Sequence, residues 1–225
     1  MKKILFFTFL CCLFSACTSE EYESGDGELS YLKADFVMAY ADAQKKISSA
    51  ITDEGETLTL SKSLTPKWAE KADSTYRALL YYNYNKVEGE VEPISIVSVS
   101  VPKVRKTSEI KEKIYTDPVT FESAWKSSNN SFLNLGLQIK TGTADGVDNK
   151  QVIGMLCDTI IQREDGTKEV ALRLYHHQNS VPEYYSASLY LSIPFDRLPC
   201  DIRTGDVVSV NINTYKGVIR KEFVY

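Results

Sequence analysis

The sequence is poor in nearly everything that marks a catalytic or metal-binding chain. Only two histidines occur in its 225 residues, the adjacent His176 and His177. Neighbours in a strand point to opposite faces, so this pair does not converge on one metal ion. No Cys/His/Asp cluster with zinc-like spacing supplements them. His176 continues the apolar positions Leu172 and Leu174 and reads as a near-core residue, while His177 shares the polar face of Arg173. Asp145, Asp148 and Asp158 lack the spacing and the sixth-position glycine of a calcium loop. There is no G-x-S-x-G, no P-loop and no dinucleotide fingerprint. Cys157 stands in an apolar run that would suppress its thiolate, which disfavours a Cys/His nucleophile. No catalytic residue, metal ligand or cofactor is assigned.

A basic excess is also missing. Lys and Arg number 26 against 30 Asp and Glu. That balance argues against binding a phosphate backbone, which needs clustered cations. After residue 17 no apolar run is long enough to span a bilayer.

What the chain does have is a strongly patterned start. Met1-Lys2-Lys3 is followed by an apolar run from Ile4 to Ala16 and then by Cys17. That run is 13 residues, short of the roughly 18 or more that a spanning helix requires. The three parts read as a secretory signal. Ser15-Ala16-Cys17 resembles the lipobox of bacterial lipoproteins, although Phe14 stands where that motif more often has Leu. The resemblance implies cleavage before Cys17 and lipidation of that cysteine. Residues 1–16 are then the signal peptide, and the mature chain carries 24 basic against 30 acidic residues. Residues 17–27, rich in Glu, Gly and Ser, read as a flexible tether. Its acidity resembles the export signal that sends lipoproteins of Bacteroidota-type bacteria to the outer face of the outer membrane.

Beyond the tether, period-2 alternation dominates and sustained helical periodicity is nearly absent. Leu32, Ala34, Phe36, Met38 and Tyr40 predict one half-buried strand, with the even positions inward. Further strands are expected over Lys45 to Thr52, Thr57 to Leu60 and Tyr76 to Tyr84. Ile94 to Val101 changes phase midway, which predicts a β-bulge near Ile96-Val97. Five strands with a bulge over residues 28–104 suit a barrel of OB type. Residues 105–116 are charged and weakly patterned and read as a linker. Over 117–225 about six or seven short strands predict a β-sandwich. They include Gln151 to Gln162, with an Asp165-Gly166 hairpin turn after it. The fold class is therefore all-β: an OB-type barrel followed by a sandwich.

This pattern resembles the NigD-like lipoproteins of Bacteroidota. The residues that carry the resemblance are mainly C-terminal: Phe132 to Leu135, Val170 to His176, Phe195 to Leu198, and the ending Val210 to Gly217 followed by Glu222 to Tyr225. The resemblance implies an N-terminal OB domain, a C-terminal β-sandwich and an envelope location. It supplies no catalytic residues.

Cys157 and Cys200 are the remaining cysteines of the mature chain besides Cys17. An oxidising envelope permits a disulfide between them, and spacing alone does not decide between a bridge and two thiols. Tyrosines number 14. By strand parity Tyr81, Tyr184, Tyr185 and Tyr190 fall on solvent faces and are the candidate ligand-contact aromatics.

Together these features lead to a lipid-anchored, non-catalytic binding protein of the outer membrane, displayed on the surface or facing the periplasm. Its expected partners are the membrane, through the lipid, and a glycan, protein or toxin; nucleic acid is not expected. A narrower alternative, taken from the family resemblance, is self-protection at a bacteriocin locus. A weaker one is a carboxylate hydrolase using Asp145, Asp148 and Glu183.

Overall fold

A computed structural model describes residues 32–84 and 90–225. The signal peptide, Cys17 and the tether over 17–27 lie outside the described residues.

The first five strands are β1 (Leu32–Ala41), β2 (Ile47–Thr52), β3 (Thr57–Leu64), β4 (Ser74–Tyr84) and β5 (Glu90–Ser98). They close into a barrel in the order β1-β2-β3-β5-β4, with β1 pairing back onto β4. β3 and β5 run parallel; the other pairs are antiparallel. This is the OB-type barrel expected from the alternation.

Its interior is narrow, and small residues fill much of it. Val37, Ala39 and Ala41 of β1 face Ala78, Leu80 and Tyr82 of β4 inside the cluster. The expected parity of β1 is therefore reversed: odd positions fill the barrel, while Leu32, Ala34 and Tyr40 are exposed. Phe36 and Met38 are apolar for a different reason, because their face of the barrel turns toward the second half of the chain. The bulge in β5 also lies earlier than expected. Ser95 pairs with Tyr81 and Pro93 with Tyr82, so Ile94 is the extra residue. A proline has no N–H to give to the ladder, which makes its neighbourhood the natural place for the slip.

The second half packs two sheets. One contains β6 (Val104–Lys106), β9 (Val152–Gln162), β10 (Lys168–His177), β12 (Val207–Thr214) and β13 (Gly217–Val224), in the order β13-β12-β10-β9-β6. The other is β11-β8-β7, formed by β7 (Thr120–Lys126), β8 (Phe132–Thr141) and β11 (Tyr185–Pro194). Leu133, Leu135 and Leu137 of β8 meet Leu172, Val210 and Ile212 of the opposite sheet in a common core. Gly166 closes the β9–β10 hairpin at φ +82°, a left-handed conformation that glycine adopts freely.

The stretch read as a linker is tied into this sandwich. Val104 is 7% exposed, and β6 pairs in parallel with Met155–Cys157. A 3₁₀ turn at Thr107–Glu109 follows. Thr107 donates its hydroxyl to Asp158 at 2.8 Å, and Thr116 bridges to His176. Buried Val104 is a single apolar residue among charges, too short a signal for periodicity to find.

Barrel and sandwich meet across an aromatic contact. Phe36 of β1 packs edge-on against Trp125 of β7 at 5.2 Å and Tyr190 of β11 at 5.3 Å. Tyr190 lies over Gly136, its pairing partner on β8; a Cβ there would come within 3.2 Å of the Tyr190 ring and 2.5 Å of Ser123 Oγ.

Candidate binding cleft at the junction

Beside that contact a cleft of about 1080 Å³ opens between barrel and sandwich. Ligand clefts commonly measure about 300–1,000 Å³, so this one sits at the upper end.

Its barrel wall is built by the connection between β3 and β4. Ala69 is buried and anchors that segment, and Ala69 N–H closes a turn onto Pro66 O at 3.0 Å. The Tyr76 hydroxyl accepts from Lys71 N–H at 2.7 Å, pinning the far end. Between these anchors Trp68 sits edge-on to Tyr76, ring centres 5.5 Å apart.

The sandwich wall begins with residues 127–131. Ser127 is buried; its hydroxyl oxygen accepts from Phe132 N–H at 2.9 Å and Ser131 N–H at 3.1 Å, and donates to Asn129 Oδ1 at 2.8 Å. Asn130 takes φ +53°. Such a self-bonded turn holds Asn129, Asn130 and Ser131 at the rim. The other side follows β11. Phe195 is buried against Tyr225 at 5.1 Å, and Asp196, Arg197 and Asp201 stand exposed along the lip.

The floor holds a buried cation. Arg77 of β4, 4% exposed, grips Asp53 through both terminal nitrogens at 2.6 and 2.7 Å. Its Nε donates to Ser192 Oγ at 3.0 Å, and a terminal nitrogen donates to Asn134 Oδ1 at 3.3 Å. The guanidinium also lies 4.1 Å from the centre of the Phe132 ring. A charge removed from water needs partners of this kind. Alternation offered no signal for it, because Arg77 stands at an odd position of β4 that reads as solvent-facing.

The sequence-predicted residues fall elsewhere. Tyr184 and Tyr185 are 71% and 56% exposed, at the start of β11. Tyr190 is half-buried on Phe36, so its assignment to a solvent face is corrected: parity placed it outside the sandwich core, and the barrel covers that side. At about 3.4 Å per residue Tyr190 lies roughly 17 Å along the strand from Tyr185. Tyr81, on the barrel, is half-buried as well. Tyr190 therefore stands apart from the exposed pair Tyr184 and Tyr185.

Cys157 and Cys200 are free thiols. Burial pushes both thiol pKa values up. His176 is 1% exposed, with Nδ1 3.0 Å from Asp117 O and Nε2 2.8 Å from Gln151 Oε1. His177 stacks on Tyr115, ring centres 3.6 Å apart. Among the described residues no group of three or more His, Cys, Asp or Glu could hold a metal ion. Asp158 is engaged with Arg173 at 2.8 Å, and Glu183 lines a shallow cleft of about 280 Å³ with Asp117 and His177.

Residues 101–225 match the family model of the NigD-like C-terminal beta sandwich domain. The chain belongs to the NigD-like family. Solved structures extend the likeness to the barrel, at the level of fold. A NigD-like immunity protein from Bacteroides caccae superimposes with a TM-score of 0.63 at 23% identity, covering 85% of this chain and 97% of that one. A protein from Parabacteroides distasonis, provisionally described as toxin-related, gives 0.61 at 15% identity over 86% and 93% of the two chains. One from Bacteroides fragilis, provisionally described as a lipoprotein, gives 0.60 at 12% identity over 85% and 96%. No protein with a curated description matches the chain. Among the described residues no helix is long and apolar enough to cross a membrane.

Proposed function

We propose that this NigD-like chain is a lipid-anchored, non-catalytic binding protein of the bacterial outer membrane, and that the junction cleft receives its ligand. The observation that carries this reading is the cleft itself: about 1080 Å³, walled by Trp68 and Tyr76 on one side and a hydrogen-bonded Asn/Ser turn on the other. Its walls are held by local hydrogen bonds, so little ordering entropy opposes binding. The lipobox at Cys17 and the acidic tether support the anchor and the surface address, and the Bacteroides fragilis neighbour is in keeping with them. The acidic balance, 26 Lys and Arg against 30 Asp and Glu, speaks against nucleic acid.

Two experiments test the placement. Cys17→Ser should abolish lipid labelling and release the protein from the membrane fraction. Protease shaving of intact cells carrying a C-terminally tagged copy should remove the tag; protection until lysis would move the protein to the periplasmic face.

A second reading is self-protection against a bacteriocin, favoured by the immunity-protein description of the Bacteroides caccae neighbour. Unchanged sensitivity of a deletion strain grown beside a producer would remove it.

A further inference from the structure

We infer that the junction cleft takes a neutral oligosaccharide, with Trp68 and Tyr76 as its stacking platform. The inference rests on the cleft being the ligand site.

Three observations lead to this ligand class. First, Trp68 and Tyr76 line two depressions at once, the large cleft and a second of about 400 Å³ that also includes Glu70, Lys71 and Ser74. They form a ridge between two hollows, which suits a ligand of several repeating units. Trp68 is only half-buried, and its contact with Tyr76 fixes its ring. A fixed aromatic face is what the apolar C–H side of a sugar ring requires.

Second, the polar groups of the cleft include both signs and no excess of cations. Asp196 and Asp201 offer acceptors and Arg197 offers donors. The second cation of the lining, Arg77, is already neutralised by Asp53. Asn129 Oδ1 is occupied by Ser127 and Ser131, which leaves its amide nitrogen as a donor. Donors and acceptors in one lining match hydroxyls, each of which both donates and accepts. A phosphorylated or strongly acidic ligand would call for a cation cluster instead.

Third, the strands at the cleft leave little free backbone for an extended peptide. β11 is an edge strand, but Ser100 bonds its outer side, accepting from Ser192 N–H at 2.9 Å and donating to Tyr190 O at 3.3 Å. β4 lies between β1 and β5, and β8 lies between β11 and β7. Strand addition needs an unpaired edge.

Fluorescence tests the inference, because the chain has two tryptophans and they lie in different places. In a Trp125→Phe variant of the full mature chain, Trp68 is the sole reporter. Neutral tetra- to hexasaccharides of glucose, mannose, galactose and xylose are titrated in turn. At least one should change Trp68 emission saturably and shield it from acrylamide. In the wild-type background, calorimetric titration of that saccharide, at a temperature where circular dichroism shows the variant folded, should show Trp68→Ala weakening binding by about tenfold or more. The same measurement with Trp68→Phe should show a smaller loss.

Binding indifferent to Trp68→Ala, or no saturable change with any saccharide together with no periodate-sensitive shielding by an envelope extract, overturns the inference. An envelope extract separates that failure from failure of the cleft reading. Shielding of Trp68 by an extract that loses its effect on periodate treatment but survives protease supports a saccharide. Shielding lost to protease alone keeps the cleft as the site and overturns the saccharide. No shielding by saccharide or extract removes both.

Discussion

Arg77 and Asp53 form a two-point ion pair inside the barrel wall, and the same guanidinium reaches across to Ser192 of the sandwich at 3.0 Å. One side chain thus joins the two halves. Ser192 in turn donates to Asn134 Oδ1 at 2.6 Å, so the junction is a connected polar network under an aromatic cover. Removing the cation leaves Asp53 without its partner. Arg77→Met is expected to cost about 3–5 kcal/mol, and Arg77→Lys only part of that, because lysine cannot make the forked contact. Denaturant midpoints of the two variants measure this; equal loss in both would show that the positive charge contributes nothing without the fork.

Gly136 lets the Tyr190 ring lie flat on β8 beneath Phe36. Gly136→Ala would place a Cβ 3.2 Å from that ring and 2.5 Å from Ser123 Oγ. The hydroxyl can rotate aside, but the tyrosine is held by its neighbour. About 1–3 kcal/mol of destabilisation is expected. The emission of Trp125, which also touches Phe36, should shift with it.

His176 lies between two oxygen atoms, Asp117 O and Gln151 Oε1, each within hydrogen-bond distance of a ring nitrogen. Gln151 in turn donates to Lys140 O at 2.7 Å, tying its amide in place. His176→Leu roughly preserves volume and removes the ring N–H, stranding the acceptor it serves. A loss of about 1–3 kcal/mol in unfolding free energy is expected. His177→Leu, which removes only a half-exposed ring stacked on Tyr115, should cost less.

Acid should weaken the sandwich through Glu169. The Ser209 hydroxyl holds its carboxyl below the ordinary range; burial opposes this, and Arg163 and Arg220 add to the lowering. A depressed folded-state pKa contributes stability above the unfolded value, and that contribution is lost as pH falls through the folded value. Burial pushes Asp206 upward, and amide donors from Lys168 and Arg203 outweigh it, so its net direction is also down. The melting temperature should therefore fall as pH drops below the ordinary carboxylate range. Glu169→Gln should flatten that slope, as a pH series of thermal melts would register.

Burial raises the Cys157 and Cys200 thiols, which disfavours the reactive thiolate. Cys157 is 3% exposed, and Cys200 is half-buried at the cleft. With Ellman's reagent, Cys200 should react slowly in the native protein and Cys157 only after unfolding. Rapid reaction of Cys157 without denaturant would contradict its place in the core.

Much of the fold was legible because strand alternation is a local property. Ala78, Leu80 and Tyr82 repeat every second residue, and that repeat alone places them on one face. The hairpin at Asp165-Gly166 follows from the freedom of glycine to take a positive φ. The lipobox resemblance at Cys17 is likewise a pattern of consecutive residues, and it lies outside the described residues.

Three features were decided only by the tertiary structure. The inward face of β1 is Val37, Ala39 and Ala41, although Phe36 and Met38 alternate just as well. Both faces are covered, one by the barrel and one toward the sandwich, and period-2 patterning cannot tell which cover is which. β6 joins its sheet through one buried valine. The cleft gathers Trp68, Asn129 and Arg197 from three separate connections of the chain. Local sequence sets which way each side chain points from its own strand; which surfaces then meet depends on closing loops over scores of residues, and no short-range pattern records that.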